Sequence, residues 1–162
     1  MNNPTLKPAH LRRIKSLGLL TDEQLTALAC HAEVVNCAQS DVLFREGDPG
    51  DALYMILEGQ MRVFTKQKSG AVLFLRLLDT GELFGEVALL TQTPRSASVE
   101  AVRSSTLIKL TSAGLQNLIA AQPAAATQVL YFLARVLGRQ LNDLTVKLRA
   151  QRNQTEFFSF LQ

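Results

Sequence analysis

Cysteine is scarce in this 162-residue chain: Cys30 and Cys37 are the only two, too few for a disulfide scaffold. The N-terminus (MNNPTLKPAHLRRIK) has no apolar stretch of the kind a signal peptide needs. No apolar run approaches the roughly 18 residues that span a bilayer, and the run from Val72 breaks at Arg76. Charge of one sign is not concentrated either. Seventeen Lys and Arg against fourteen Asp and Glu leave +3 with no dense basic run, which argues against a dedicated nucleic-acid surface. Histidine is limited to His10 and His31. Cys30, His31 and Cys37 lie close together, but zinc takes about four ligands and His10 is remote in sequence. They read as partly buried structural residues, and no metal is expected. There is no Cys-x-x-Cys pair for an iron–sulfur cluster, no internal repeat and no low-complexity tract. A soluble, reducing, cytoplasmic setting is the expectation that remains.

Apolar residues make up 47% and charged residues 19%, an ordinary globular composition. The length suggests one domain. A chain of this size buries on the order of 68–70% of its unfolded surface, enough for a core without staples.

Residues 5–32 read as helical. Leu11, Ile14 and Leu17 share one face, Gly18 interrupts, and Leu25, Leu28 and Ala29 continue the apolar spacing in a second helix. Thr21 with Gln24 three residues later fits a capping box for that second helix. From Val34 to Leu110 the texture changes to short β-branched or aromatic segments, punctuated by glycine at 47, 50, 59, 70, 81 and 85. Asp48-Pro49-Gly50 and Glu58-Gly59 are turn signals. Strands are predicted near 34–36, 42–45, 53–57, 61–66, 71–77, 97–102 and 106–110, which suggests a small barrel or sandwich.

After Thr111 the helical period returns. A short helix over 112–120 stops before Pro123, which opens a long one to about residue 150. Leu130, Ala134, Leu137, Leu141, Leu144 and Leu148 alternate spacings of four and three, the seam of two helices packed in parallel. A second stripe (Val129, Leu133, Val136) would face the β body, so a homodimer through residues 123–150 is expected. The plainer alternative is one wide stripe packed wholly on its own domain. Arg135, Arg139, Lys147, Arg149 and Arg152 against Asp143 make this helix basic, a solvated face or a surface for an acidic partner.

The stretch that carries chemistry is Phe84-Gly85-Glu86-Val87-Ala88-Leu89, followed after five residues by Arg95-Ser96-Ala97-Ser98-Val99. Gly85 permits a tight turn, and Glu86 to Leu90 can wind into one or two helical turns. Such a turn aims free backbone N–H groups and a positive dipole end at an anion. Arg95 supplies a planar fork suited to bidentate phosphate contact, and Ser96 adds a hydroxyl. Ionised Glu86 only accepts, so it suits a sugar hydroxyl rather than the phosphate. An anion site beside a hydroxyl acceptor describes a nucleotide phosphate joined to a ribose. The plain structural alternative is that Glu86 and Arg95 pair with each other, capping a helix and closing a loop.

With these residues the sequence resembles the cyclic nucleotide-binding domain of bacterial catabolite activator proteins, protein-kinase regulatory subunits and nucleotide-gated channels. One signature is Leu43-Phe44-Arg45-Glu46-Gly47-Asp48-Pro49-Gly50 with Leu53-Tyr54-Met55-Ile56 and Gly59; Phe44 departs from it, since a smaller apolar residue is usual there. The other is the phosphate-binding cassette from Phe84 to Ala101, without departure. The resemblance covers about residues 34–121. It implies an eight-stranded jelly-roll β-barrel (a double-stranded β-helix, mainly β within an α+β whole) flanked by N-terminal helices and a long C-terminal helix. Residues 1–122 would then form the N-terminal helices and barrel, and 123–162 the lid and dimerisation helices of the same domain.

By the same resemblance Arg95 clamps the cyclic phosphate and Glu86 takes the ribose 2′-hydroxyl. Gly85 and the backbone of Val87 and Ala88 line the cassette, and Ser96 and Ala97 flank the phosphate. Val63, Leu73 and Leu75 would form the apolar wall under the base. Gln140 and Thr145, with Asn142 as neighbour, fall where the C-terminal helix closes over the purine; solvated helix positions are the alternative reading. A hydroxyl directly after the arginine accompanies cGMP preference in some eukaryotic members, but bacterial cAMP receptors carry serine there too, so Ser96 does not decide. cAMP is favoured over cGMP.

The function expected is a non-enzymatic regulatory module that binds cyclic nucleotide, needs no cofactor, and signals through its C-terminal helices to an effector protein. The alternative is the sensor portion of a catabolite-activator-type regulator lacking its helix-turn-helix. At most a dozen residues follow position 150, too few for three more helices of roughly 10–14 residues each, so no direct DNA binding is expected of this chain. No membrane contact is expected. Hydrolysis of the cyclic phosphate would want a metal cluster or a positioned base, and the chain offers neither. A barrel that keeps the fold but binds nothing is disfavoured by the intact Glu86 and Arg95.

Overall fold

The computed structural model describes residues 6–14, 17–67 and 69–159, with side chains described no further than residue 150. Helix α1 is short, Pro8–Leu11. Beyond it the backbone N–H groups of Ile14, Leu17 and Leu20 donate to the carbonyls of Leu11, Ile14 and Leu17 at 3.0, 2.9 and 3.0 Å. Each bond spans three residues, as in a turn, and the described residues past Leu11 are turns and bends with no further α-helix before residue 22. Leu11, Ile14, Leu17 and Leu20 are all buried. The expected first helix is therefore corrected to Pro8–Leu11: an apolar spacing of three with no partner at four is met here by successive turns. Helix α2, Asp22–Cys30, follows the sequence reading. Thr21 Oγ1 accepts from Gln24 N–H (3.3 Å) and Gln24 Oε1 accepts from Thr21 N–H (3.0 Å), closing the capping box.

Six antiparallel strands follow among the described residues: β1 Glu33–Cys37, β2 Val42–Phe44, β3 Ala52–Lys66, β4 Val72–Asp79, β5 Leu83–Phe84 and β6 Ser98–Thr111. The order is β1-β6-β3-β4, with β2 on β6 and β5 on β3. Eight strands were implied; β3 and β6 each merge two of the predicted segments. The Glu58-Gly59 signal marks irregular pairing instead of a chain reversal. Register against β6 shifts around Glu58 and Gln60, yet pairing resumes from Met61 onward. An extra residue of this kind bends a strand and keeps it in the sheet. The two-residue β5 is too short to leave a periodic signal.

The core lies on the inner face of β3 and β6. Ile56, Met61, Leu78 and Leu107 are fully buried in one cluster with Cys37, Ala101 and Phe84. Each buried Leu or Ile contributes about 1.5–3 kcal/mol relative to an exposed one. After β5 come α3, Glu86–Thr91, and, past β6, α4, Ser112–Ala121, whose N-cap Thr111 accepts from Gly114 N–H at 3.0 Å.

Helix α5 runs Pro123–Ser159, further than predicted, and opens on proline, whose missing N–H costs nothing at a first helical position. The chain forms two compact units, Met1–Gln128 and Val129–Gln162. In the second, Val129 and Leu133 are buried and Val136 half-buried, whereas Leu141, Leu144 and Leu148 stay more than half exposed. No helix among the described residues is long and apolar enough to cross a membrane.

Candidate functional site

Strand β5 pairs Phe84 with Tyr54 and Leu83 with Met55, which places the chain at the end of β3 when it reaches Gly85. Gly85 takes φ +80° and caps α3. A Cβ there would stand 2.7 Å from Arg95 Nη1 and 2.9 Å from the Ala52 carbonyl oxygen, so only glycine fits. The first α-helical bond is Leu89 N–H to Gly85 O (3.1 Å), and the amides of Glu86, Val87 and Ala88 precede it without intrahelical acceptors. Glu86 is buried at 5% exposure, Ala88 is buried, and Val87 is exposed.

Arg95 is buried to the same degree, 5% exposed. Its Nη1 donates to the Ala52 carbonyl at 2.6 Å, while its buried Nε has no hydrogen-bond partner. Burial draws its pKa below the usual value, partly offset by Tyr54, Asp51 and Asp48 nearby. The ion pairs among the described residues are Arg12–Asp22, Arg62–Glu100 and Lys109–Glu33. None joins Glu86 to Arg95, so the two do not form the mutual cap that the sequence left open. A buried guanidinium without an ion-pair partner is costly unless its hydrogen-bonding groups are satisfied.

The two sequence signatures meet here. Gly47 N–H donates to the Arg95 carbonyl and Arg95 N–H donates to the Asp48 carbonyl, both at 2.9 Å. Ser98 Oγ, also buried, accepts from Glu46 N–H at 2.9 Å. The β2–β3 loop is thereby laced to the segment that carries Arg95. Ser96 is exposed and Ala97 half-buried beside it.

Of the expected base wall, Val63 is half-buried and packs on the core cluster. Leu73 lies opposite Thr65, so it shares the sheet face of Thr65 and Val63; Leu75 sits where the register shifts between Val63 and Phe64. Leu73 and Leu75 are 44% and 48% exposed. Gln140 and Thr145 lie on α5 in the second unit, and the Thr145 hydroxyl donates to its own helix at Leu141 O (2.8 Å).

Sequence reasoning missed the surroundings of Arg95. Its Cζ sits 4.2 Å from the centroid of the Phe44 ring and 5.6 Å from that of Tyr54. Tyr54 stacks on Phe84 with centroids 5.4 Å apart and 16° between planes. The signal available was Phe44 itself, a large ring where a smaller side chain is usual.

Comparison with known proteins agrees with this fold. The model of the cyclic nucleotide-binding domain family matches residues 34–122. The chain is 37% identical over 110 residues to the Cyclic AMP receptor protein of Thermus thermophilus, 68% of this chain and 49% of that one. It is 28% identical over 120 residues to the CRP-like cAMP-activated global transcriptional regulator of Mycobacterium tuberculosis, 74% of this chain and 54% of that one. It thus spans about half the length of the curated relatives it matches. The solved N-terminal domain of a transcriptional regulator from Streptomyces coelicolor is similar with a TM-score of 0.72 at 35% identity, covering 84% of this chain and 94% of that one. With a jelly-roll body, both signatures in contact and a family match over its β region, the chain belongs to the cyclic nucleotide-binding domain family.

Proposed function

We propose that this protein is a non-enzymatic regulatory module of the cytoplasm that binds a cyclic nucleotide, cAMP in preference to cGMP. The observation that carries the reading is Arg95, a buried cation with no ion pair among the described residues and an Nε without a partner. A phosphate oxyanion supplies both the missing ion-pair partner and the missing acceptor, in the parallel geometry a guanidinium edge favours. Glu86 accepts from the ribose 2′-hydroxyl, and the amides of Val87 and Ala88, with Ser96 and Ala97, border the phosphate. Val63, Leu73 and Leu75 take the base, and Gln140 and Thr145 contact it when α5 closes. Ligand binding shifts α5 only by its differential affinity for the two helix positions, and that shift is what an effector protein reads. The exposed leucines at 141, 144 and 148 support a homodimer through this helix.

Isothermal calorimetry with cAMP and cGMP tests the reading. Heat of binding is expected with cAMP, stronger than with cGMP, and Arg95→Ala should abolish it; no heat at millimolar ligand refutes it. A second reading, the sensor portion of a transcription regulator, is favoured by the 94% coverage of the solved Streptomyces coelicolor domain. The length of the intact gene product separates the two.

A further inference from the structure

We propose that Phe44 is a positioning residue for the anion site, holding the Arg95 guanidinium in its binding orientation before any ligand arrives. The inference rests on the reading of Arg95 as a phosphate clamp and adds what keeps the clamp set. Three restraints converge on this one side chain. Its backbone is tied on both sides, by Gly47 N–H and by the Asp48 carbonyl. Its Nη1 is anchored to the Ala52 carbonyl. Its Cζ lies over the Phe44 ring, 4.2 Å from the centroid, against 5.6 Å for Tyr54.

Phe44 does not stand alone. Its ring centroid is 5.8 Å from that of Tyr54 and 6.1 Å from that of Phe84, so rings from β2, β3 and β5 cluster together, with Phe44 and Tyr54 facing the cation. The electron-rich ring face attracts the guanidinium and repels an anion. An oxyanion is therefore turned away from the ring side of the cation and toward Nε, the nitrogen that lacks a partner. Nη1, on the Cδ side of the group, is already engaged, which leaves Nε and Nη2 as the parallel pair for bidentate contact. An arginine held this way loses little rotamer freedom when the ligand binds, and affinity rises accordingly.

The test uses the intact protein, cAMP as probe, calorimetry, and the ¹H–¹⁵N resonance of Arg95 Nε, identified by its loss in Arg95→Lys. In the ligand-free wild type this resonance is expected to be shifted upfield by the ring and slow to exchange. Phe44→Leu should weaken cAMP about tenfold, the scale of a desolvated cation–ring contact. Phe44→Tyr, which restores the ring, should bind within about twofold of wild type on the same scale. A folded Phe44→Leu that binds cAMP like wild type overturns the proposal, as does a Phe44→Tyr as weak as Phe44→Leu. Should Phe44→Leu not fold, the wild-type resonance decides: a signal at an ordinary surface-arginine position with fast exchange also overturns it. A wild type that binds neither cyclic nucleotide refutes the proposed function instead, and the Nε resonance still reports whether Phe44 holds Arg95.

Discussion

Gly85→Ala and Gly81→Ala form a matched pair that isolates what the cassette demands of its glycine. Both backbones lie at positive φ, +80° and +90°, so each substitution carries the left-handed cost of about 1–2 kcal/mol. At Gly81 an added Cβ meets nothing within 4 Å, and the cost ends there. At Gly85 the Cβ would wedge 2.7 Å from Arg95 Nη1 and 2.9 Å from Ala52 O, the donor and acceptor of one 2.6 Å hydrogen bond. Relief requires breaking that bond, and a hydrogen bond to a charged group is worth about 1.5–3 kcal/mol. Gly85→Ala should thus be destabilised by about 1.5–3 kcal/mol more than Gly81→Ala in urea unfolding followed by circular dichroism. Calorimetry should show weakened cAMP binding in the first variant and unchanged binding in the second. Equal unfolding free energies for the two would refute the argument that Gly85 is required by the approach of Arg95.

Glu86→Gln keeps the shape and removes the charged acceptor, so cAMP affinity should fall about tenfold or more, while 2′-deoxy-cAMP, which lacks the hydroxyl, should bind both proteins alike in calorimetry. Alkaline stability should decline in thermal melts across pH. Burial, then Asp41, holds the Cys37 thiol above its usual 9.0, burial raises Tyr54, and a hydrogen bond to Glu33 raises Lys109. Each keeps its proton in the folded chain where the unfolded chain loses it, so full stability below about pH 9 falls as pH rises through these values, and Cys37→Ala should delay the onset. Leu141→Glu, at a residue 67% exposed in the single chain, should convert a dimer to a monomer in analytical ultracentrifugation; a monomeric wild type at micromolar concentration would end the dimer reading.

The site's chemistry was legible where it depends on neighbours in sequence. Gly85, Glu86 and Arg95 lie within eleven residues, and their spacing alone sets a turn, an acceptor and a fork near one another. Whether Glu86 and Arg95 would neutralise each other was not legible, because an ion pair depends on side-chain directions that no spacing fixes. The ring cluster was hidden for a related reason: Phe44, Tyr54 and Phe84 meet only after β2, β3 and β5 are assembled. In the fold, the capping box at Thr21 is local chemistry and was read correctly. The split of β3 at Glu58-Gly59 was misread, since a turn-forming pair also serves a bend inside a strand. The first helix was read too long because an apolar spacing of three suits a run of turns as well as a helical face.

The lacing of Arg95 to residues 47 and 48 has a mechanical side. From the Arg95 backbone the path runs through the loop to Ala52, and from the Ala52 carbonyl back to the Arg95 side chain. It is a closed linkage rather than an open lever. Force applied at the guanidinium tip cannot displace one member alone: it either turns the tip about its own torsions or carries the loop and the head of β3 together. The tip can adjust to its guest with small rotations, whereas a larger pull is passed as a unit to a strand fifteen residues long that pairs with three others.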